Sequence, residues 1–279
     1  MSSIVSPNDI FTLEDHERYL SVTNWNDVPI NATHLGVGAP HQDLSRLSEF
    51  HSLEHLRLCC GDEVLSSLSD MPKLRRLRIS SVARVPLTSL DSLCKVPNLE
   101  RLILHHVPMV HSLDSISVLV KLKDLLIENN PGSITKLHEL DSLQPLMSLK
   151  SLERLELRGI RVREQGLRPL ENMTWLQTLV VNNNFKIEDF ARLAAALPNT
   201  QGFCLQPAVP IAMPCERCQA EKVMLIGRTR PQFACPQCQS RHVTRHVAAF
   251  GKIKLEWILT IRAAGQAGQK KVSGQELFY

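Results

Sequence analysis

Aromatic side chains are scarce in this sequence: three tryptophans, two tyrosines and eight phenylalanines among 279 residues. A core must therefore be built from aliphatic side chains, and a surface that stacks nucleic-acid bases has little material to draw on. No run of about 18 consecutive apolar residues occurs, so neither a membrane span nor a membrane partner is expected. The N-terminus, Met1-Ser2-Ser3-Ile4-Val5-Ser6-Pro7, has no basic stretch followed by an apolar one, so a secretory signal is not expected and a cytoplasmic location is. The sequence also lacks G-x-S-x-G, H-E-x-x-H, a P-loop and G-x-G-x-x-G. On these grounds the chain is not expected to be an enzyme, and no catalytic residue is named.

What is present is repetition. A phrase L-x-x-L-x-L recurs as Leu53/Leu56/Leu58, Leu74/Leu77/Ile79, Leu99/Leu102/Leu104, Leu122/Leu125/Ile127, Leu152/Leu155/Leu157 and Leu176/Leu179/Val181. Degenerate copies flank these, at Ala32/Leu35/Val37 and Thr200/Phe203/Leu205. Successive copies start 21, 21, 25, 23, 30, 24 and 24 residues apart. Within each phrase, period-two alternation makes a strand with one buried face. Upstream of the strands lies a second apolar spot (Leu65 and Leu68, Leu90 and Leu93, Ile116 and Leu119, Leu167 and Leu170), spaced for short helices or single turns. The longest step contains Asn130-Pro131-Gly132-Ser133, a turn signal that predicts an extra loop.

A period in the twenties built on this phrase resembles the leucine-rich repeat family. The resemblance covers about two thirds of the chain. It implies an α/β fold: a solenoid of about eight parallel strands with short convex helices or turns, stabilised by stacking of neighbouring repeats. The family phrase ends in asparagine, which only Asn130 and Asn184 supply here; Gly61, Val107 and Ile160 stand at that place in other copies. The expected organisation is an N-terminal cap over 1–28, the solenoid over 29–206, a zinc-ribbon-like module over 207–262 and a loose tail over 263–279. A short helix is expected near Thr12–Leu20 within the cap.

Four of the eight cysteines form two C-x-x-C doublets, Cys215/Cys218 and Cys235/Cys238, with 16 residues between. Two such turns aim four thiolates at one ion, so zinc is the expected cofactor. With four protein ligands the ion has no open position and is structural. The doublets resemble those of a zinc ribbon, which implies a small β module. Pro207, Pro210 and Pro214 read as a stiff linker, Val223–Ile226 and His242–Phe250 as strands, and Ile253–Ile261 as a last strand or cap. His242 and His246 read as surface residues of the module. Cys59, Cys60, Cys94 and Cys204 read as small fillers.

In leucine-rich repeats the strand residues between the buried leucines line the concave face. The candidate partner-binding residues are Arg57, Arg76, Arg78, Arg101, Ile103, His105, Leu126, Glu128, Arg154 and Arg158. Stacking brings several arginines together, which suits an acidic protein partner. Apolar Ile103, Leu126 and Val180 on the same face favour a protein as well. The expected function is a non-catalytic protein-binding scaffold, such as an adaptor or a toxin-neutralising protein. The alternative rests on charge. From Pro207 onward there are 11 Lys and Arg against 4 Asp and Glu, whereas the remainder has 21 against 24. Arg228, Arg230, Arg241 and Arg245 would then contact DNA or RNA, although Phe233, Phe250 and Trp257 are the only aromatics near. A third reading, an enzyme such as a ligase, would need a reactive cysteine outside the doublets.

Overall fold

A computed structural model describes residues 19–38, 44–65, 68, 71–81, 86–129, 137–228 and 232–273. Most of the expected helix at Thr12–Leu20, the arginine at 230 and the Asn130–Ser133 turn lie outside these residues; the end of that helix is corrected, since Leu20 is in a strand. The chain divides into two compact units, Met1–Gln165 and Gly166–Tyr279.

The first unit is a ladder of parallel strands: β1 (Leu20–Ser21), β2 (His34–Val37), β3 (His55–Cys59), β4 (Arg76–Ser80), β5 (Arg101–His105), β6 (Asp124–Glu128) and β8 (Arg154–Arg158). Its register aligns the repeat phrase. Leu35, Leu56, Leu77, Leu102, Leu125 and Leu155 are successive partners, and so are Val37, Leu58, Ile79, Leu104, Ile127 and Leu157. All twelve are buried. A one-residue slip would turn every one of them outward, so the alternation fixes the pairing. The upstream apolar residues form the second wall. Leu93, Ile116 and Leu146 sit in 3-10 turns at Asp91–Lys95, Asp114–Val118 and Gln144–Ser148, all fully buried. The only α-helical turn among the described residues of this unit is α1 (Asp62–Leu65).

The long step between the fifth and sixth full copies is used for a second, smaller ladder. There β7 (His138–Leu140) pairs in parallel with β9 (Ile160–Val162). His138 is buried and its Nε2 donates to the carbonyl of Val110, with burial pushing its pKa down. Gly159, between β8 and β9, has φ +63°, and a Cβ there would lie 2.0 Å from the carbonyl oxygen of Asn129. Only glycine fits that corner.

The second unit contains the last full copy of the phrase as β10 (Thr178–Val181), followed by α2 (Ile187–Ala196). Added to the seven strands of the first unit's main ladder, this gives the expected eight among the described residues. The degenerate copy at Thr200 does not make a strand. It forms a bridge between Thr178 and Gln201 and a 3-10 turn at Phe203–Leu205. The N-terminal segment supplies β1 instead, which no copy of the phrase announced.

Next comes an antiparallel sheet of β11 (Ala208–Pro214), β12 (Glu221–Leu225) and β13 (Gln232–Ala234), with β12 in the middle. The prolines expected to stiffen a linker lie at or in β11, an edge strand, where missing N–H groups are tolerated. The expected strand at His242–Phe250 is corrected, and so is the strand alternative for Ile253–Ile261; the cap alternative stands, since Trp257 packs on Arg192 of α2. Both segments belong to one helix, α3, which runs from Ser240 to Ser273 and takes in most of the segment expected to be loose. The stretch holds Ala, Leu, Lys, Arg and Gln with no proline, a composition of helix formers. Val243 and Val247 are four apart, the helical spacing as much as a multiple of the strand one. No described helix is long and apolar enough to cross a membrane.

Candidate binding face and metal centre

The strand register sorts the side chains on the open face of the first unit into three columns. One runs His34, His55, Arg76, Arg101, Asp124, Arg154. The middle one runs Gly36, Arg57, Arg78, Ile103, Leu126, Glu156. The third runs Cys59, Ser80, His105, Glu128, Arg158. All ten candidate partner-binding residues therefore stand in these columns.

The arginines do not simply repel one another. Asp124, itself buried, receives a hydrogen bond of 3.0 Å from Nε of Arg101 and one of 2.7 Å from Nη2 of Arg154. Glu128 lies between His105 (3.8 Å) and Arg158 (3.7 Å). Glu156 is 1% exposed and ion-pairs with Arg158. Burial raises its pKa to about 7, against the opposing pull of Arg158 and with a small push from Glu128. His105 is shifted down, by burial first and then by Arg78. Toward the other end, Arg57 stacks over the Tyr19 ring at 5.3 Å. The alternation of the repeat phrase places Asp124 and Glu156 on this face, at the places of Arg101 and Arg57, but they were not among the candidate partner-binding residues.

Ile103, Leu126 and Val180 are not the exposed apolar patch expected: they are 7%, 5% and 5% exposed. In the first unit the middle column is flanked by long side chains of the outer two, which shield it. The face therefore presents charge with aliphatic packing beneath.

The four doublet cysteines come together in the second unit. Their sulfurs all lie within 4.8 Å of one another, an arrangement that could hold a metal ion. Sγ–Sγ separations are 3.4 Å for Cys218/Cys235 and 3.9 Å for Cys215/Cys238. Four thiolates about 2.3 Å from a tetrahedral ion stand roughly 3.8 Å apart, so the donor set fits. These distances are far too long for disulfides. The first doublet turns between β11 and β12: Cys215 N donates to the carbonyl of Ala220 (2.8 Å) and Gln219 N to that of Cys215 (2.9 Å). The second turns between β13 and α3, with Gln239 N donating to the carbonyl of Cys235 (2.9 Å). Backbone N–H groups of Arg217 and Cys218 draw the Cys215 thiol down to about 6, whereas the neighbouring sulfurs, Cys218 first, push that of Cys238 up to about 12, as expected for thiols held this close together. The second knuckle thus opens a helix, a departure from an all-β ribbon. His246 is corrected as well: it is buried, 3% exposed, and its Nε2 donates to the carbonyl of Ile226 (2.9 Å).

The module is tied to the repeat-derived part of its own unit. Asn183 Nδ2 donates to the carbonyl of Leu225 (2.8 Å) and its Oδ1 accepts from Gly227 N (2.7 Å). Asn184, at the family asparagine place, pairs locally with Asn182. Arg192 of α2 stacks over Trp257 of α3 at 4.0 Å and pairs with Glu171 at 2.9 Å. Of the alternative nucleic-acid contacts, Arg241 and Arg245 stand exposed one turn apart on α3 and Arg228 is half-buried.

Repeat phrases in register, a parallel ladder and turns on the opposite wall decide the architecture. This is a leucine-rich repeat fold. Among solved structures the chain resembles an internalin of Listeria monocytogenes, at 18% identity and TM-score 0.49, over 62% of this chain and 47% of that one. It also resembles internalin C2 of the same organism, at 21% and 0.41, over 56% and 62%. A third likeness is a leucine-rich repeat protein of Leptospira interrogans, at 15% and 0.34, over 66% and 58%. The chain thus spans about half to three fifths of the length of these proteins. Neither a protein-family model nor a curated protein matches the sequence.

Proposed function

We propose that this leucine-rich repeat protein is a non-catalytic scaffold that binds a protein partner through the open strand face. The observation that carries the reading is the three in-register columns, which set Arg76, His105 and Arg158 among ion pairs over a continuous ladder. Such a face offers directional charge to an acidic surface and specificity through its arrangement. An adaptor or toxin-neutralising role belongs to this class of function. A pull-down comparing wild type with Arg76→Glu/His105→Glu tests it. Loss of a partner held by the wild type supports the face; an unchanged set of partners refutes it.

The cysteine cluster is proposed to bind one structural zinc ion, in a cytoplasmic protein whose thiols stay reduced. Metal analysis of the purified chain should find one zinc, lost in Cys218→Ser/Cys235→Ser. Metal-free wild type of unchanged fold would refute it. A second reading, contact with nucleic acid, is favoured by the exposed pair Arg241 and Arg245.

A further inference from the structure

Helix α3 carries two apolar stripes, and its own unit buries one of them. His246 and Phe250 are buried, and Trp257 packs on Arg192 of α2. On the opposite side, Ala248, Gly251, Leu255 and Ile258 follow one another at steps of three, four and three, the spacing of a coiled-coil seam. Val247 and Leu259 stand beside that seam. Leu255 is 58% exposed, Leu259 56% and Val247 39%, with Ile258 half-buried at the edge. A Cβ added at Gly251 would meet nothing within 4 Å, so this side of the helix is open. Aliphatic side chains lined up in water, on a helix whose other side already holds the fold, mark an interaction surface.

We infer that this stripe docks an amphipathic helix with acidic flanks, from a protein other than the one held on the open strand face. The inference uses residues of the second unit alone and does not depend on the strand ladder. Charge decides the occupant. From Ser240 to Ala264 there are five basic residues, Arg241, Arg245, Lys252, Lys254 and Arg262, against one acidic, Glu256. By helical position Arg245 and Lys252 flank one side of the seam, Lys254 borders the other and Arg262 continues its line. Charges flanking the seam set partner choice between paired helices. A second copy of this chain would bring the same cations against these, and like charges in apposition are costly. An anionic lipid surface is gripped by aromatic side chains beside basic ones, yet Phe250 and Trp257 are on the packed side and Glu256 would be repelled. A duplex offers phosphates to the arginines and nothing to exposed leucines. An acidic amphipathic helix uses both features. Ala248 and Gly251 let its backbone come close at one end, and Leu255 and Leu259 fill its grooves at the other.

The test is fluorescence anisotropy of the full chain with two labelled synthetic peptides of about three heptads. Both have Leu at the seam positions; one has Glu at the flanking positions and its twin has Lys. The Glu peptide should bind one per chain, about tenfold or more tighter than the Lys peptide. Leu255→Gln/Leu259→Gln, two changes on the open side of the helix, should weaken the Glu peptide about tenfold or more. Arg245→Glu/Lys252→Glu leaves the leucines in place and should reverse the preference toward the Lys peptide, which keeps the inference testable if the leucine variant does not fold. Arg76→Glu/His105→Glu, on the strand face, should leave both affinities unchanged, so this inference and the scaffold reading fail separately. Equal affinity for the two peptides, or Glu-peptide binding untouched by the leucine variant, overturns the inference. So does a random DNA duplex, or a phosphatidylglycerol vesicle, that the wild type binds more tightly than the Glu peptide. A wild-type dimer in sedimentation that Leu255→Gln/Leu259→Gln dissociates gives the stripe to a second copy and overturns it as well.

Discussion

Asp124 and Glu156 are buried carboxylates on the same face with different surroundings. Asp124 sits between two guanidiniums. Removing it in Asp124→Ala leaves Arg101 and Arg154 facing each other in a part-buried site, which should cost about 3 to 5 kcal/mol in urea unfolding. Glu156 has one close counterion and more burial than that pair offsets, so its pKa rises to about 7. The folded state therefore holds a proton that the unfolded chain releases near pH 4.5. Stability from this group is full below that pH and is lost as pH rises toward and through about 7. The total is roughly 3 kcal/mol, taking 1.36 kcal/mol per pH unit. Glu156→Gln cannot ionise. Its melting temperature relative to wild type should climb between pH 5 and pH 8, and a pH-independent difference would show that Glu156 is not protonated in the folded protein.

Among the elements, the junction of the cysteine-bearing sheet with its own unit includes, beside the Arg192–Trp257 stack, one amide and one glycine. Asn183 satisfies one carbonyl and one N–H of the segment after β12. Asn183→Ala would leave both buried and unmatched, a cost of about 2 to 6 kcal/mol, since each unsatisfied group loses about 1 to 3. Gly227 has φ +87°, and a Cβ there would come within 2.3 Å of Ile187 Cα. Gly227→Ala should destabilise by a similar amount and speed amide exchange in β12, whereas Gly251→Ala, where nothing lies within 4 Å, should not. Neither contact is legible in the sequence, because both join segments 40 or more positions apart. The ladder is legible because each phrase repeats at short range and its register follows from stacking. The four cysteines are legible because their doublets are local. Helix α3 was hidden by Val243 and Val247, whose spacing suits a helix yet lies on one face of a strand too. The pairing of Asp124 with Arg101 and Arg154 was hidden as a partnership, though each residue was visible at its place.

At the scale of the whole chain, charge is divided along the sequence. The part before Pro207 has 21 basic against 24 acidic residues, and the part from Pro207 onward has 11 against 4. The two functional readings call on different parts, so salt separates them. A nucleic acid held by Arg241 and Arg245 would release counterions, and its affinity would fall steeply with salt, with a slope reduced by about one for each phosphate contact removed. A protein docked on the open face meets arginines already paired with Asp124 and Glu128, so its affinity depends on shape and on few free charges, and salt should act mainly on its association rate. Binding should therefore be measured between 50 mM and 200 mM salt with the purified partner and with a random DNA duplex. For the scaffold, partner affinity should change less than tenfold across that range, and Arg241→Glu/Arg245→Glu should leave it unaltered. A duplex affinity that drops more than about tenfold over the same range, and that vanishes in this variant while the face variants keep it, would move the function from the strand ladder to α3.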